Sequence, residues 1–314
     1  MSRHAYCIIA HNDSYCLQTL VNLIDDDRND IFIVSDKKAD SLDLSVIKTN
    51  KSRLITPPDS QLIDIQWGDA SLVKAELLAF RMALKQGKYE YLHLLSGCDL
   101  PLKDQDYIHG FFNSLKKGIN LVGFAQGEFN KNDLAEKTDY YHFFIGKYRY
   151  PLRYVRGLFT VYRNTMVHLQ KTIGFKRKWD MKLYKGSEWV SITSAFAKYL
   201  VDNEDLILKM FRYVSCADEI YKQTFIMASP YKETIFDTTL DFAGMTRKID
   251  WSRGCPYTWH SHDFDELVNS EALFARKFSS LTDRNIIDRI ANYLTNHGRN
   301  ETATDKDTCS LPQG

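Results

Sequence analysis

Residues 67–101 read WGDASLVKAELLAFRMALKQGKYEYLHLLSGCDLP. Leu72, Ala75, Leu78, Ala79 and Met82 recur at the three-and-four spacing of one helix face, with charges on the other faces, so the stretch begins as an amphipathic helix. Tyr91 to Leu95 is then a short apolar run of strand type, and it opens into the polar turn Ser96-Gly97-Cys98-Asp99. Similar runs occur at Tyr6 to Ala10, Ile31 to Val34 and Asn120 to Phe124, with helical segments between them. Strands that alternate with helices predict an α/β fold with a mostly parallel central sheet flanked by helices. Ligands of such sheets bind beyond the carboxyl ends of the strands, which singles out His11 to Ser14, Ser35 to Lys38 and Ser96 to Pro101.

The second half has fewer strand runs, more aromatic residues, and helical patterns at Trp189 to Asp202 and Asn285 to Thr295. From residue 296 onward the apolar content is too low to support a core, so a disordered tail over 296–314 is expected. The expected organisation is one domain over 1–295, with a nucleotide-binding half (1–125) and an acceptor and catalytic half (126–295).

Lys and Arg number 41 against 40 Asp and Glu, a net charge of +1 that argues against a globally basic nucleic-acid binder. The balance hides a local excess. Nine cations fall between Lys147 and Lys178, where there is no Asp or Glu, leaving 32 against 40 elsewhere. Tyr148, Tyr150, Tyr154, Phe159 and Tyr162 interleave with them, a mixture that suits an anionic membrane surface, a lipid-linked diphosphate or an acidic glycan. A solvated surface with inward-pointing aromatics gives the same pattern.

Six cysteines are scattered singly without CxxC spacing, there is no signal-type h-region, and no run approaches the ~20 apolar residues that cross a bilayer. These features point to a cytoplasmic protein, peripheral at the inner membrane face if the basic tract docks there. The N-x-S/T triplets at Asn12, Asn50 and Asn300 then read as chance matches. GxGxxG, GxxxxGK, GxSxG and HExxH are all missing, which removes the main support for dinucleotide enzymes, P-loop kinases and zincins. Cys255, His260, His262 and Asp263 have metal-ligand chemistry at a spacing that matches no standard site, as an ordinary loop would.

Seven segments taken together resemble one family: IIAHNDSYCLQTLVNLI, IFIVSDKKAD, WGDASLVKAELLAFRMAL, YLHLLSGCDLPLK, YKGSEWVSITSAFAKYL, SCADEIYKQTFI and ALFARKF. They occur in the order and spacing of the core-2/I-branching β-1,6-N-acetylglucosaminyltransferases and their peptide O-xylosyltransferase relatives, over roughly residues 5 to 280. The resemblance implies a GT-A-type nucleotide-sugar fold and inverting transfer, typically of GlcNAc from UDP-GlcNAc to a glycan hydroxyl. It also implies that no metal ion or other cofactor is used. A start directly at the first strand, without the anchor of eukaryotic relatives, suggests a bacterial-type member working on lipid-linked surface polysaccharide precursors.

Inversion needs one carboxylate to deprotonate the acceptor hydroxyl and cations to meet the departing diphosphate. By resemblance Glu219 is the base and Lys277 the phosphate lysine, with Arg276 beside it. Arg253 is the nearest match to a second family cation, and His260 or Arg247 could take its place. Asp36 matches a nucleoside-contacting aspartate, with His11 next to it. The family often shows His-Val-Asp there, whereas this chain has Val34-Ser35-Asp36. Metal-dependent GT-A enzymes carry an Asp-x-Asp after the central strand; here Asp99 alone occupies that turn, to touch the donor sugar or to brace the SGCDLP loop. Glu188 and Trp189 fit an acceptor-binding carboxylate and stacking ring, although Trp189 reads equally well as a core residue. Two alternatives stay open: another donor (UDP-xylose, UDP-glucose or UDP-galactose), or a non-catalytic glycan- or nucleotide-binding protein on the same scaffold.

Overall fold

The computed structural model describes residues 2–39, 42–147, 150–238 and 242–307. Tyr148 and Arg149 of the basic tract, and residues 308–314 of the expected tail, lie outside them.

The first half alternates β1 (His4–Ala10), α1 (Ser14–Ile24), β2 (Asn29–Ser35), β3 (Arg53–Ile55), α2 (Ala70–Gln86) and β4 (Tyr91–Ser96). Every residue of β1, β2 and β4 is buried. That is why these strands read as continuous apolar runs: helices cover both faces of the sheet. Polar caps start the helices. Asp13 accepts from Cys16 N–H (3.0 Å) before α1, and Asp69 accepts from Ser71 N–H (2.7 Å) before α2. Then follow β5 (Asp99–Pro101), α3 (Gln105–Ser114), α4 (Gly127–Thr138), α5 (Arg153–Thr172), β6 (Ser191–Thr193), α6 (Ser194–Asp202), α7 (Glu204–Phe211) and α8 (Tyr221–Met227). The chain closes with β7 (Arg247–Ile249), α9 (Phe264–Val268), β8 (Phe274–Arg276) and α10 (Ser280–Asp307), whose helical backbone runs past residue 296.

The central sheet has the order β3-β2-β1-β4-β6, parallel except for β6, which pairs antiparallel with β4. The fold is therefore α/β with a mostly parallel sheet flanked by helices. Because β6 joins β4, the two halves expected from the sequence share one sheet. The chain moves outward from β1 to β3 and returns to β4 on the other side of β1, so the strand order reverses at the β1/β4 junction. A crevice opens at such a switch point, beyond the carboxyl ends of the two strands. A second sheet, β5-β8-β7, stands beside it and brings residue 99 opposite residue 276.

Two apolar cores form on the two sheet faces. One packs Phe80, Trp189, Phe196, Phe211 and Phe225 between the sheet and α2, α6, α7 and α8. The other gathers Leu20, Phe112, Trp259, Phe274 and Ile287 around α1, α3 and α10. Each fully buried Leu or Phe in them stabilises the fold by about 1.5–3 kcal/mol. A polar seam crosses the second core: His93 shares hydrogen bonds with His4 (3.0 Å) and Ser191 (2.8 Å), and His109 stacks on His4 at 4.1 Å. Burial lowers the pKa of all three, His109 to about 4.

Two expectations need correction. Asn120 to Phe124 is not a regular strand. Asn120 bridges Ile235, Leu121 bridges Ser191 and Phe124 bridges Gly186, because the segment crosses diverging partners instead of following one. Trp189 to Asp202 is not one helix: the β-branched residues of Ser191–Thr193 extend the sheet, and Thr193 then accepts from Phe196 N–H (3.3 Å) to start α6.

Candidate active site

The crevice is built where three strand ends meet. Asp36 N–H donates to Ala10 O (2.9 Å) and Gly97 N–H to Ile9 O (3.0 Å). A Cβ on Gly97 would come within 3.2 Å of Ala10 Cβ, so a larger residue would have to push this turn and β1 apart by a few tenths of an ångström. His11 is exposed just past β1. Asp36 is buried; its Oδ1 accepts from the N–H groups of Lys38 and Ile65 (both 3.2 Å), and Lys38 Nζ lies 3.0 Å from its Oδ2. The carboxylate thus closes the turn after β2, with one edge beside a lysine.

Asp99, 1% exposed, holds Arg276 Nη1 at 2.8 Å and accepts from Ser96 N–H at 2.9 Å. Oδ2 thereby braces the SGCD turn, and Oδ1 orients Arg276, a partner that the sequence did not indicate. Burial works against the Arg276 charge, but Asp99 and Glu188 outweigh it and hold the pKa above the ordinary value. Phe278 N–H donates to Cys98 O (2.9 Å), which sets the Arg276-Lys277 segment over the SGCD turn. Among the described residues Lys277 has no ion-pair partner.

Trp189 is a core residue, 5% exposed, and one face of its indole carries the Arg276 guanidinium at 4.5 Å. Of its two sequence readings the structure shows the buried one. Trp189 ends a segment that also anchors Glu219. Gly186 N–H donates to Glu219 O (2.8 Å), and a Cβ on Gly186 would sit 1.8 Å from Gly123 O, so only glycine allows this approach. Gln223 locks the crossing by donating to Gly123 O (3.1 Å) and Ser187 O (2.7 Å).

Glu219 ends a 3₁₀ turn over Ala217–Glu219, entered through Cys216 at φ 51°. The loop before α2 supports this turn: Cys216 N–H donates to Gly68 O (2.8 Å). The Glu219 side chain is 29% exposed. Its Oε2 accepts from Lys137 Nζ of α4 (2.7 Å), with Lys185 Nζ at 4.0 Å. Asp133 Oδ2 binds the same two ammonium groups at 2.8 and 2.6 Å. Burial opposes the Lys137 charge, yet Glu219 and Asp133 raise its pKa well above the ordinary lysine value. One oxygen of Glu219 is therefore held by a fixed cation, while Oε1 has no hydrogen-bond partner among the described residues.

Beneath this turn lies a set of acids. Glu76 and Lys222 are both fully buried and paired, and Tyr221 O–H donates to Glu76 Oε2 at 2.6 Å. Burial, then Glu219 and Glu76, push Asp218 up to about 7. Glu188 is held well above the carboxylate range by burial and by Asp218 and Glu76, with Arg276 and Lys222 opposing. Displaced acids clustered beside a cleft are a mark of functional sites.

The structure thus sets His11, Asp36 and Asp99 just past the ends of β1, β2 and β4, pairs Asp99 with Arg276 beside Lys277, and joins Arg276 through the 186–189 segment to Glu188 and Glu219. Arg253 does not join them as a free cation. Asp250, Asp263 and Glu266 all pair with it, and it stacks on Tyr257 (4.4 Å) and Trp259 (5.1 Å). Trp259 donates its indole N–H to Arg276 O (2.9 Å), so Arg253 braces the strand from a neutralised position. Lys137, Lys185, Asp133, Asp218 and Glu76 were missed by sequence reasoning. Only Glu76 carried a signal, an acid among Val73, Leu77 and Phe80 of α2. Among the described residues no three His, Cys, Asp or Glu gather so as to hold a metal ion. A cavity of about 550 Å³ lined by Lys74, Leu78, Arg81 and Lys85 lies on the face of α2 opposite Glu76, away from this chemistry.

A model of the family described as Core-2/I-Branching enzyme matches residues 4–273. The chain belongs to that family of glycosyltransferases. Curated relatives of this Core-2/I-Branching chain include human xylosyltransferase 1, 23% identical over 93% of this chain and 30% of its own length. Human xylosyltransferase 2 is 23% identical over 91% of this chain and 33% of its own length. The chain spans about a third of the length of these relatives. Among solved structures, mouse xyloside xylosyltransferase 1 in its apo form aligns over 88% of this chain and 97% of its own, with 12% identity and a TM-score of 0.37. S. aureus TarS (1–349) aligns over 78% and 68%, with 14% identity and a TM-score of 0.31. Structural likeness at that level carries no functional argument.

Proposed function

We propose that the chain is an inverting glycosyltransferase that moves a sugar from a UDP-sugar, UDP-GlcNAc in the first instance, in β linkage to a hydroxyl of a glycan acceptor. Glu219 Oε1 takes the acceptor proton while Lys137 holds Oε2. The freed oxygen attacks the anomeric carbon from the side opposite the diphosphate. The bond from that carbon to the phosphate oxygen breaks and UDP leaves with the electron pair. Its developing charge meets Arg276 and Lys277, fixed in direction by Asp99 and Trp189. His11 and Asp36 lie at the nucleoside end, and Glu188, recessed and inclined to stay protonated, can donate a hydrogen bond to a substrate oxygen. With Asp99 already neutralised by Arg276, side-chain cations rather than a metal are assigned to the phosphates.

One observation carries this reading: the segment Gly186–Trp189 holds Glu219 by a backbone hydrogen bond at one end and Arg276 by ring stacking at the other. A second donor, UDP-xylose, is favoured by the names of the curated relatives.

Glu219→Gln tests the base. It is expected to lower kcat by about 10²- to 10⁴-fold while UDP binding by calorimetry stays unchanged. Turnover within tenfold of the wild type would remove Glu219 from that role. The same assay run in EDTA across a panel of UDP-sugars is expected to retain activity, and a strict Mn²⁺ requirement would overturn the assignment of Arg276 and Lys277. The sugar turned over fastest names the donor.

A further inference from the structure

Helix α5 is anchored along one side and bare along the other. Gln170 is its one buried residue among those described, accepting from Tyr141 N–H (2.8 Å) and donating to Tyr141 O (3.0 Å). Phe159 packs against Phe144 with ring centroids 5.2 Å apart on the same side. At 100° per residue, Tyr154, Leu158, Val161 and Leu169 fall within an arc of about 80° on the outer side. Their exposures are 91%, 69%, 64% and 50%, and Ile173, just past the helix, is 68% exposed. A helix of ~30 Å turns its apolar stripe to water, with no partner for that stripe among the described residues.

The charges around the stripe identify the partner. Arg153 stands at the amino-terminal end and Lys178 beyond the carboxyl-terminal end, both exposed; Lys176 beside it reaches Asp139 (3.0 Å), Arg156 falls on the side opposite the stripe, and no acid occurs from Lys147 to Lys178. Cations in the first turn oppose the helix dipole, which favours an anion there, and no acidic residue occupies that turn. An apolar stripe bracketed by basic residues matches the layered chemistry of an anionic bilayer surface, with acyl chains beneath phosphate headgroups. A water-soluble anion would satisfy the cations and leave the stripe exposed.

We propose that α5 lies in the plane of an anionic membrane, its stripe among the acyl chains and its flanking cations at the headgroups. The orientation bears on the site. Lys171 pairs with Glu136 of α4 at 2.7 Å, and the next α4 residue, Lys137, holds Glu219. A docked α5 therefore sets the Glu219 end of the crevice toward the bilayer. Membrane docking itself does not depend on the transferase reading.

Sedimentation of the full chain with vesicles tests it, comparing phosphatidylcholine alone with phosphatidylcholine plus phosphatidylglycerol. Binding is expected only with the anionic lipid and is expected to weaken as salt rises. Each Lys or Arg near such a surface multiplies binding by about five. Arg153→Gln/Lys178→Gln should therefore lower partitioning by about 25-fold. Leu158→Gln/Val161→Gln/Leu169→Gln should abolish it; these exposed sites leave the melting temperature unchanged, which verifies folding. Binding that ignores either variant, or no binding to anionic vesicles, overturns the proposal. So does a wild-type dimer in sedimentation velocity that the stripe variant dissociates, because a second copy would then cover the stripe.

Discussion

Lys222→Met removes the ammonium that neutralises Glu76, and both groups are 0% exposed. What remains is a carboxylate with one phenol donor, Tyr221, an Oε1 without a hydrogen-bond partner among the described residues, and the acids Asp218 and Glu188 nearby. Breaking a buried pair by removing one partner costs about 3–5 kcal/mol. The chain has one escape, which is to protonate Glu76. Burial already raises that pKa despite Lys222, and loss of the ammonium raises it further. A folded value above the unfolded one gives stability that is whole below the unfolded value, about 4.3, and is lost as pH rises through the folded value. The deficit of the variant therefore widens with pH, by at most about 1.4 kcal/mol per unit, until it reaches the ceiling set by the broken pair. Urea unfolding followed by tryptophan fluorescence should show a loss of about 1–2 kcal/mol near pH 5.5 and about 3–5 kcal/mol near pH 8. Glu76→Leu/Lys222→Met should recover most of it, falling short by about 1 kcal/mol for the acceptor that Tyr221 loses. A deficit that shrinks as pH rises, or a double variant as unstable as the single one, refutes the reasoning.

Gly186→Ala forces a methyl group onto Gly123 O, so the backbone crossing that holds Glu219 must open. A loss of about 1–3 kcal/mol in stability is expected from the overpacking, and about 10²-fold slower transfer from displacement of the base; a melting temperature and a rate equal to wild type would show that the crossing does not position Glu219. His109 donates through Nε2 to Asn29 Oδ1 (2.9 Å), which leaves Nδ1 unprotonated and without a partner in the core, with Arg28 opposing its charge and Asp26 favouring it. Burial holds its folded pKa at about 4, below the ordinary imidazole value of about 6.5, so its contribution is complete above 6.5 and is lost as pH falls toward 4. Asp218 acts in the opposite sense up to about 7, so the comparison is made against His109→Gln. Urea midpoints should fall more steeply between pH 6.5 and 4 in the wild type than in the variant, and parallel curves would exclude the histidine as the source.

The sheet was legible because its principal strands bury both faces. Tyr6–Ala10, Ile31–Val34 and Tyr91–Leu95 have no polar face to interrupt them, and α2 shows helical spacing for the complementary reason, one face in and one out. Three-residue strands such as β5, β7 and β8 are shorter than any period, so nothing marked them. The partners of Glu219 were equally hidden: α4 is polar all round, and Lys137 and Asp133 look like any solvated pair until the fold sets Lys185 and Glu219 beside them. Arg253 shows the converse, a cation that looked free in the chain and is held by three carboxylates.

The sequence by itself determined the α/β class, the ends of its principal strands and, through its ordered motifs, the family. Those depend on apolar spacing and on residue types, which the chain displays directly. Only the tertiary structure decided that Asp99 is spent on Arg276, that Trp189 is a buried platform, that Lys137 sits on Glu219, and that α5 turns its apolar stripe outward. Each of these is a choice of partner between residues far apart in the chain, fixed by packing and neutralisation in three dimensions, and no local pattern records which cation a given carboxylate will meet.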